Sequence, residues 1–225
     1  MNGKCSRGLR SITILYAIHF SLSSYTLLPL SRVAEKKVIL SQLPGLHEQP
    51  VNISASAPKG TYIVYTKNGD LPVKSSPRWE KELRFDKTTP LTIGLVVDDQ
   101  LKDTFYCGTY LIGFRSALPV TCLILPSDGL LGPENGIYMG GLTPEGKTYG
   151  NCWKDIERTT FFEFIEKEQP VVAQGCGLKI FGGMTRQNKE KSMRVIARDK
   201  YGKGKFKHRF FSTKERDVFN SIVLR

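Results

Sequence analysis

Tyr62-Ile63-Val64-Tyr65-Thr66-Lys67-Asn68-Gly69-Asp70 is the stretch that decides the fold class. Its first five residues are β-branched or aromatic, types that pack well on a pleated surface. Asn68-Gly69 follows one residue later, after Lys67, and supplies the positive φ angles of a tight hairpin turn. Upstream, Val51-Asn52-Ile53-Ser54 alternates apolar and polar residues, the period of a half-buried strand. Downstream, Leu91 to Val97 and Phe105 to Leu111 read as two further strands. Short strands at this spacing, without helical periodicity, predict a small β-sandwich over residues 38–115.

A second unit begins at Leu118. Pro119 to Leu125 is a nearly continuous apolar run, as in a central strand. Ser127 to Gly150 is rich in Gly, Pro and Asn and reads as a long loop. Thr159 to Ile165 and Leu178 to Phe181 are strands. Ser192 to Arg198 and Phe206 to Phe211 read as a hairpin, with the glycines of 199–205 at the turn. In its second arm Phe206, His208 and Phe210 share one face, and Lys205, Lys207 and Arg209 the other.

The 225 residues are 40% hydrophobic, enough for a packed core in one large domain or two small ones. The net charge is +12. Residues 179–225 hold fourteen lysines and arginines against Glu190, Asp199, Glu215 and Asp217, so the surplus lies in this last segment. Such a block is either a solvated face or a surface for phosphate, nucleic acid or anionic lipid. At the other end, Lys4, Arg7 and Arg10 precede an uncharged run from Ser11 to Leu30. That layout is an export signal or an uncleaved anchor over residues 1–30. A membrane contact is expected only through residues 11–30. Of five cysteines, Cys5 lies within the signal; Cys107, Cys122, Cys152 and Cys176 form either two disulfides, in one of three pairings, or four buried thiols.

The chain contains no G-x-x-x-x-G-K-[ST], G-x-G-x-x-G, H-E-x-x-H or G-x-S-x-G motif. His19, His47 and His208 are too scattered for a metal site, and no C-x-x-C pair is present. No catalytic or metal residue is assigned on this basis.

Two longer stretches carry family resemblances. Pro44-Gly45, Pro50-Val51-Asn52-Ile53-Ser54, Gly60-Thr61-Tyr62-Ile63-Val64-Tyr65-Thr66 and Asn68-Gly69-Asp70-Leu71-Pro72 resemble the β-sandwich module found beside chitobiases and other secreted glycosidases, over residues 38–115. The module is usually an accessory. Tyr62, Tyr65 and Trp79 are its candidate sugar-stacking aromatics, or else sandwich core and rim. The second stretch runs from Leu118-Pro119-Val120 through Gly136-Ile137-Tyr138, Glu157-Arg158 and Phe162-Glu163-Phe164. It continues with Gly177-Leu178-Lys179-Ile180-Phe181-Gly182-Gly183-Met184-Thr185-Arg186 and Lys191-Ser192-Met193-Arg194. This order resembles the beginning of the CotH domain, the spore coat protein H family of secreted atypical kinases, over residues 118–225. Gly132 stands where that family has an aspartate, and Met184 where it has a small residue.

The CotH resemblance implies a mainly β chain: a small β-sandwich followed by an incomplete α+β kinase-like lobe. The family's catalytic and metal-binding acids would come after Val223-Leu224-Arg225, so the segment as given is expected to lack phosphotransfer of its own, with no cofactor. ATP and Mg belong to the full domain. Lys191 and Arg186 are then the candidate phosphate contacts, or surface bases at strand ends. The alternative is a cell-surface module that binds carbohydrate or protein, with the second unit as scaffold. Expected partners are a cell-wall glycan or a secreted protein; a nucleic-acid partner, resting on charge alone, ranks last. The kinase-lobe reading predicts weak ATP affinity through the basic segment, sensitive to Lys191→Ala in an equilibrium binding assay. The binding-module reading predicts polysaccharide affinity lost in Trp79→Ala and indifferent to Lys191.

Overall fold

The computed structural model describes residues 38–225, together with the backbone of a two-residue strand, β1 (Tyr16–Ala17). The export-signal reading of residues 1–30 otherwise lies outside the described residues. Next in chain order are β2 (Ile39–Leu40), β3 (Gly45–His47), β4 (Val51–Ile53), β5 (Ala55–Ser56), β6 (Thr61–Thr66), β7 (Leu83–Phe85), β8 (Thr89–Val97) and β9 (Gln100–Ile112). Beyond them lie β10 (Val120–Ile124), α1 (Ser127–Leu131), β11 (Gly141–Leu142), β12 (Thr148–Tyr149), β13 (Arg158–Glu166) and β14 (Gln169–Ile180). The last are β15 (Met193–Ile196), β16 (Phe206–Lys207), β17 (Val218–Phe219) and β18 (Ser221–Leu224). The chain is mainly β. Among the described residues no helix is long and apolar enough to cross a membrane.

Residues 38–112 form two layers over one core. A four-stranded sheet in the order β3-β9-β8-β6 faces the short pairs β2-β5 and β4-β7. Val38, Leu40, Val51, Ile53 and Phe85 from the short pairs meet Ile63, Leu91, Ile93, Leu95 and Tyr110 from the sheet. Burying such side chains stabilises by about 1.5–3 kcal/mol each. β3 runs parallel to β9, with Gly45 opposite Tyr110. The Asn68-Gly69 turn forms: Gly69 sits at φ +84°, and the Asn68 side chain accepts the Asp70 N–H at 3.2 Å. The return arm is not a strand, because Pro72 and Pro77 have no N–H to donate. Its backbone pairs with β6 at the single Val64–Arg78 bridge, while β6 pairs along its length with β8.

The second sheet has the order β1-β10-β13-β14-β15-β18. Its main core includes Leu123, Phe162, Phe164, Cys176, Leu178, Met193, Val195, Phe206, Phe210 and Leu224. The long hairpins β8–β9 and β13–β14 turn in two residues each, at Asp98-Asp99 and Lys167-Glu168, all four with positive φ. Aspartate tolerates this region; lysine and glutamate carry no such signal. β14 therefore begins nine residues before the predicted Leu178.

The predicted hairpin of 192–198 with 206–211 does not form. A strand has two edges, and β15 spends one on β14 and the other on β18. Phe206–Lys207 pairs instead with Val218–Phe219. The facing assignment is retained: Phe206 and Phe210 are buried, and Lys205, Lys207 and Arg209 are exposed. Phe162 is 1% exposed and packs edge-on against Phe206, with ring centroids 5.2 Å apart. Phe162→Ala is expected to destabilise the fold by about 3–5 kcal/mol in urea unfolding, the cost of an aromatic cavity.

Candidate functional sites

Arg186 and Lys191 lie on the loop that joins β14 to β15. Arg186 is in a 3-10 turn, Met184–Gln187. Its Nε donates to Gly182 O at 2.6 Å and its Nη1 to Cys152 O at 3.2 Å. The side chain thereby ties this loop to a second 3-10 turn, Asn151–Trp153. Lys191 is 5% exposed. Its Nζ donates to Asn188 O at 2.7 Å and stands 5.3 Å from the Tyr138 ring centre. The Tyr138 hydroxyl accepts the Lys191 N–H at 2.8 Å and donates to Lys189 O at 3.1 Å. Both candidate phosphate contacts are thus brought into one loop, where the hydrogen bonds described for their side chains go to backbone carbonyls. Nearby, Asp155 is held below the ordinary carboxylate range, chiefly by its hydrogen bond from Lys179 and its charge, with a smaller contribution from Arg186. At the Gly132 position, the Asp128 carboxylate occupies the space a side chain would need: a Cβ there would lie 2.0 Å from Asp128 Oδ1.

The three aromatics of the sandwich are not brought onto one face. Tyr62 and Tyr65 are three apart on β6, and successive strand residues point to opposite sides. Tyr65 meets Trp79 edge-on at 5.5 Å, and both pack against the sandwich core. The Tyr62 ring is covered by the Arg78 guanidinium at 4.3 Å.

The basic surplus separates into two populations. Before residue 201, Lys179 pairs with Asp155, and Arg198 and Lys200 pair with Glu157 at 2.8 and 3.8 Å. After it, Lys203, Lys205, Lys207, Lys214 and Arg216 are exposed around the β16–β17 ribbon. Lys205 reaches Asn220, Lys214 lies over Phe211, and Arg216 over Phe219.

One buried ionisable group was not singled out from the sequence. Glu163, in the middle of β13, is 1% exposed. Its Oε1 accepts the Thr109 N–H of β9 at 3.2 Å, and its Oε2 has no hydrogen-bond partner among the described residues. Burial pushes the carboxyl up from 4.5 to about 7, against the pull of the Thr109 hydroxyl and N–H. Burial and the charge of Glu163 also raise the thiols of Cys107 and Cys122. Alternation around Phe162 and Phe164 does place Glu163 on the opposite face, but only the fold reveals that this face is covered as well. Cys107, Cys122, Cys152 and Cys176 are all free thiols. Among the described residues no cluster of three or more His, Cys, Asp or Glu could hold a metal ion.

Comparison with family models, curated proteins and solved structures finds no match for this chain.

The raised carboxyl of Glu163 has a definite sign in stability. Its contribution is fully present below the unfolded value of 4.5 and is lost as pH rises through about 7. The loss amounts to about 3 kcal/mol. Denaturant titrations across this range should show that decline in the wild type, and Glu163→Gln, which keeps an acceptor for Thr109 but does not ionise, should remove it.

Proposed function

We propose that this chain is an exported binding protein, and that its described part acts by holding an anionic cell-surface polysaccharide rather than by phosphoryl transfer. The observation that carries this reading is the division of the basic residues. Arg186 and Lys191 are engaged by backbone carbonyls of their own loop and, for Arg186, of the Asn151–Trp153 turn. The bases that face solvent as a group are those of the β16–β17 ribbon. Glu215 and Asp217 are exposed among them, but five lysines and arginines against two acids leave a positive surface, and such a surface attracts polyanions without requiring a cleft. Two of these cations rest on Phe211 and Phe219, which orients their charge at the surface. The uncharged run behind Lys4, Arg7 and Arg10 supports export, and with it an envelope glycan rather than nucleic acid.

The order of motifs resembling CotH and its preceding sandwich supports the same setting, a secreted protein of the kinase-like class. On this reading the second sheet is a scaffold that presents the ribbon. The sandwich, whose aromatics are turned into the core or covered by Arg78, is an accessory.

The test is binding of the full chain to polygalacturonate, with neutral dextran as control. Affinity for the anionic polymer should fall steeply with added salt. The triple variant Lys203→Ala, Lys207→Ala, Lys214→Ala should lower it by about tenfold or more, and Lys191→Ala should leave it unchanged. Equal binding to dextran, or no loss in the triple variant, would sink the proposal. ATP binding abolished by Lys191→Ala would instead favour the kinase-lobe reading.

A further inference from the structure

The place where the two sheets meet is built around a carboxyl that no cation among the described residues answers. β13 presents Glu163 to the end of β9, and the approach is close. Gly108 sits at φ +132°, and a Cβ there would come within 2.4 Å of Glu163 Oε1 and 2.8 Å of Pro44. Around this point the junction is apolar: Leu111, Val120, Cys122 and Ile165 form one cluster with Leu46 and Phe114. Tyr106 stacks on Phe161 at 5.3 Å. The titratable groups that feel the Glu163 charge are Cys107 and Tyr110 on β9 and Cys122 on β10. All three are neutral when protonated, so none offsets an ionised carboxylate.

We propose that Glu163 is a proton-operated latch between the sandwich and the second sheet. With the carboxyl protonated, the Gly108–Thr109 segment of β9 seats against β10 and β13 and the two sheets dock. With it ionised, a charge that among the described residues only the N–H and hydroxyl of Thr109 offset is left in an apolar junction, and the seat opens to admit water. Burying an uncompensated charge is costly, and separation of the two sheets relieves it while each keeps its own core. The connection at residues 113–119 is the segment that yields. The raised affinity for the proton supports this direction: the docked state holds it up to about pH 7. At full coupling the opening equilibrium rises by up to about 300-fold between acid and alkaline pH. The device makes the relative placement of the two units, rather than the ribbon's affinity, the quantity that pH controls.

The test is amide hydrogen exchange of the full chain, corrected for the intrinsic pH dependence of exchange. In the wild type, protection at Thr109 to Leu111 and at Val120 to Cys122 should fall by tenfold or more from pH 5 to pH 8.5 and lie tenfold or more below that of Leu178 and Val195 in the far part of the second sheet, whose exchange follows the global stability. In Glu163→Gln the junction amides should stay protected at both pH values. Junction amides that exchange no faster at pH 8.5 than the global unfolding measured by denaturant allows would mean that the junction opens only with the whole fold and would overturn the latch, as would pH-independent junction protection. Either wild-type result decides the matter even if the variant fails to fold. An unchanged pH response in a folded Glu163→Gln would overturn it as well.

Discussion

β13 is buried on both faces, and the rest of the structure is arranged around that requirement. Phe162 and Phe164 point into the main core of the second sheet, against Phe206 and Phe210. Phe161, Glu163 and Ile165 point the other way, where Tyr106, Thr109 and Leu111 of β9 cover them. A strand with one wet face would need polar residues at every second position. Here the covered part of the second face, Phe161 to Ile165, holds one polar side chain, and the sandwich lies over it. The two sheets are therefore joined by side-chain packing across β13 as well as by the chain between them.

That joining fixes local chemistry that would be strange in isolation. β9 bulges near Gly108, where its register with β8 shifts between Leu91 and Thr92. The absent side chain at 108 leaves room for the Glu163 carboxyl. On the other side of the sheet, the loops after β10 and β14 are pinned by Arg186, Lys191, Asn151 and Trp153, each donating to backbone carbonyls. Cations used this way satisfy loop carbonyls that helices and strands would otherwise serve. The charge left over accumulates on the ribbon, where it faces water and carries the proposed binding role.

Much of this was legible in the sequence wherever a local rule decides. The strands at Val51–Ile53, Thr61–Thr66 and Val120–Ile124 arise from β-branched and alternating residues, and the solvated row Lys205, Lys207, Arg209 from period two. Asn68-Gly69 was legible as a turn, but the absence of a return strand after it was not, because that is set by the prolines downstream. The hairpin expected between 192–198 and 206–211 failed for a non-local reason: both edges of β15 were already taken by partners, one of them near the chain's last residues. The tight turn at Lys167-Glu168 carried no composition cue, so β14 was read much too short.

Sequence by itself determined the class, the strand-forming stretches, the sign and location of the charge surplus, and the alternation that splits Phe162 from Glu163. These depend on side-chain type and on a spacing of one or two residues. Only the tertiary structure decided that Glu163 is buried, that Arg186 and Lys191 bind their own loop, and that Tyr62 and Tyr65 part company. Each of those depends on what lies opposite a side chain, and in a β fold the neighbour opposite is set by pairings dozens of residues away, such as Thr109 with Glu163.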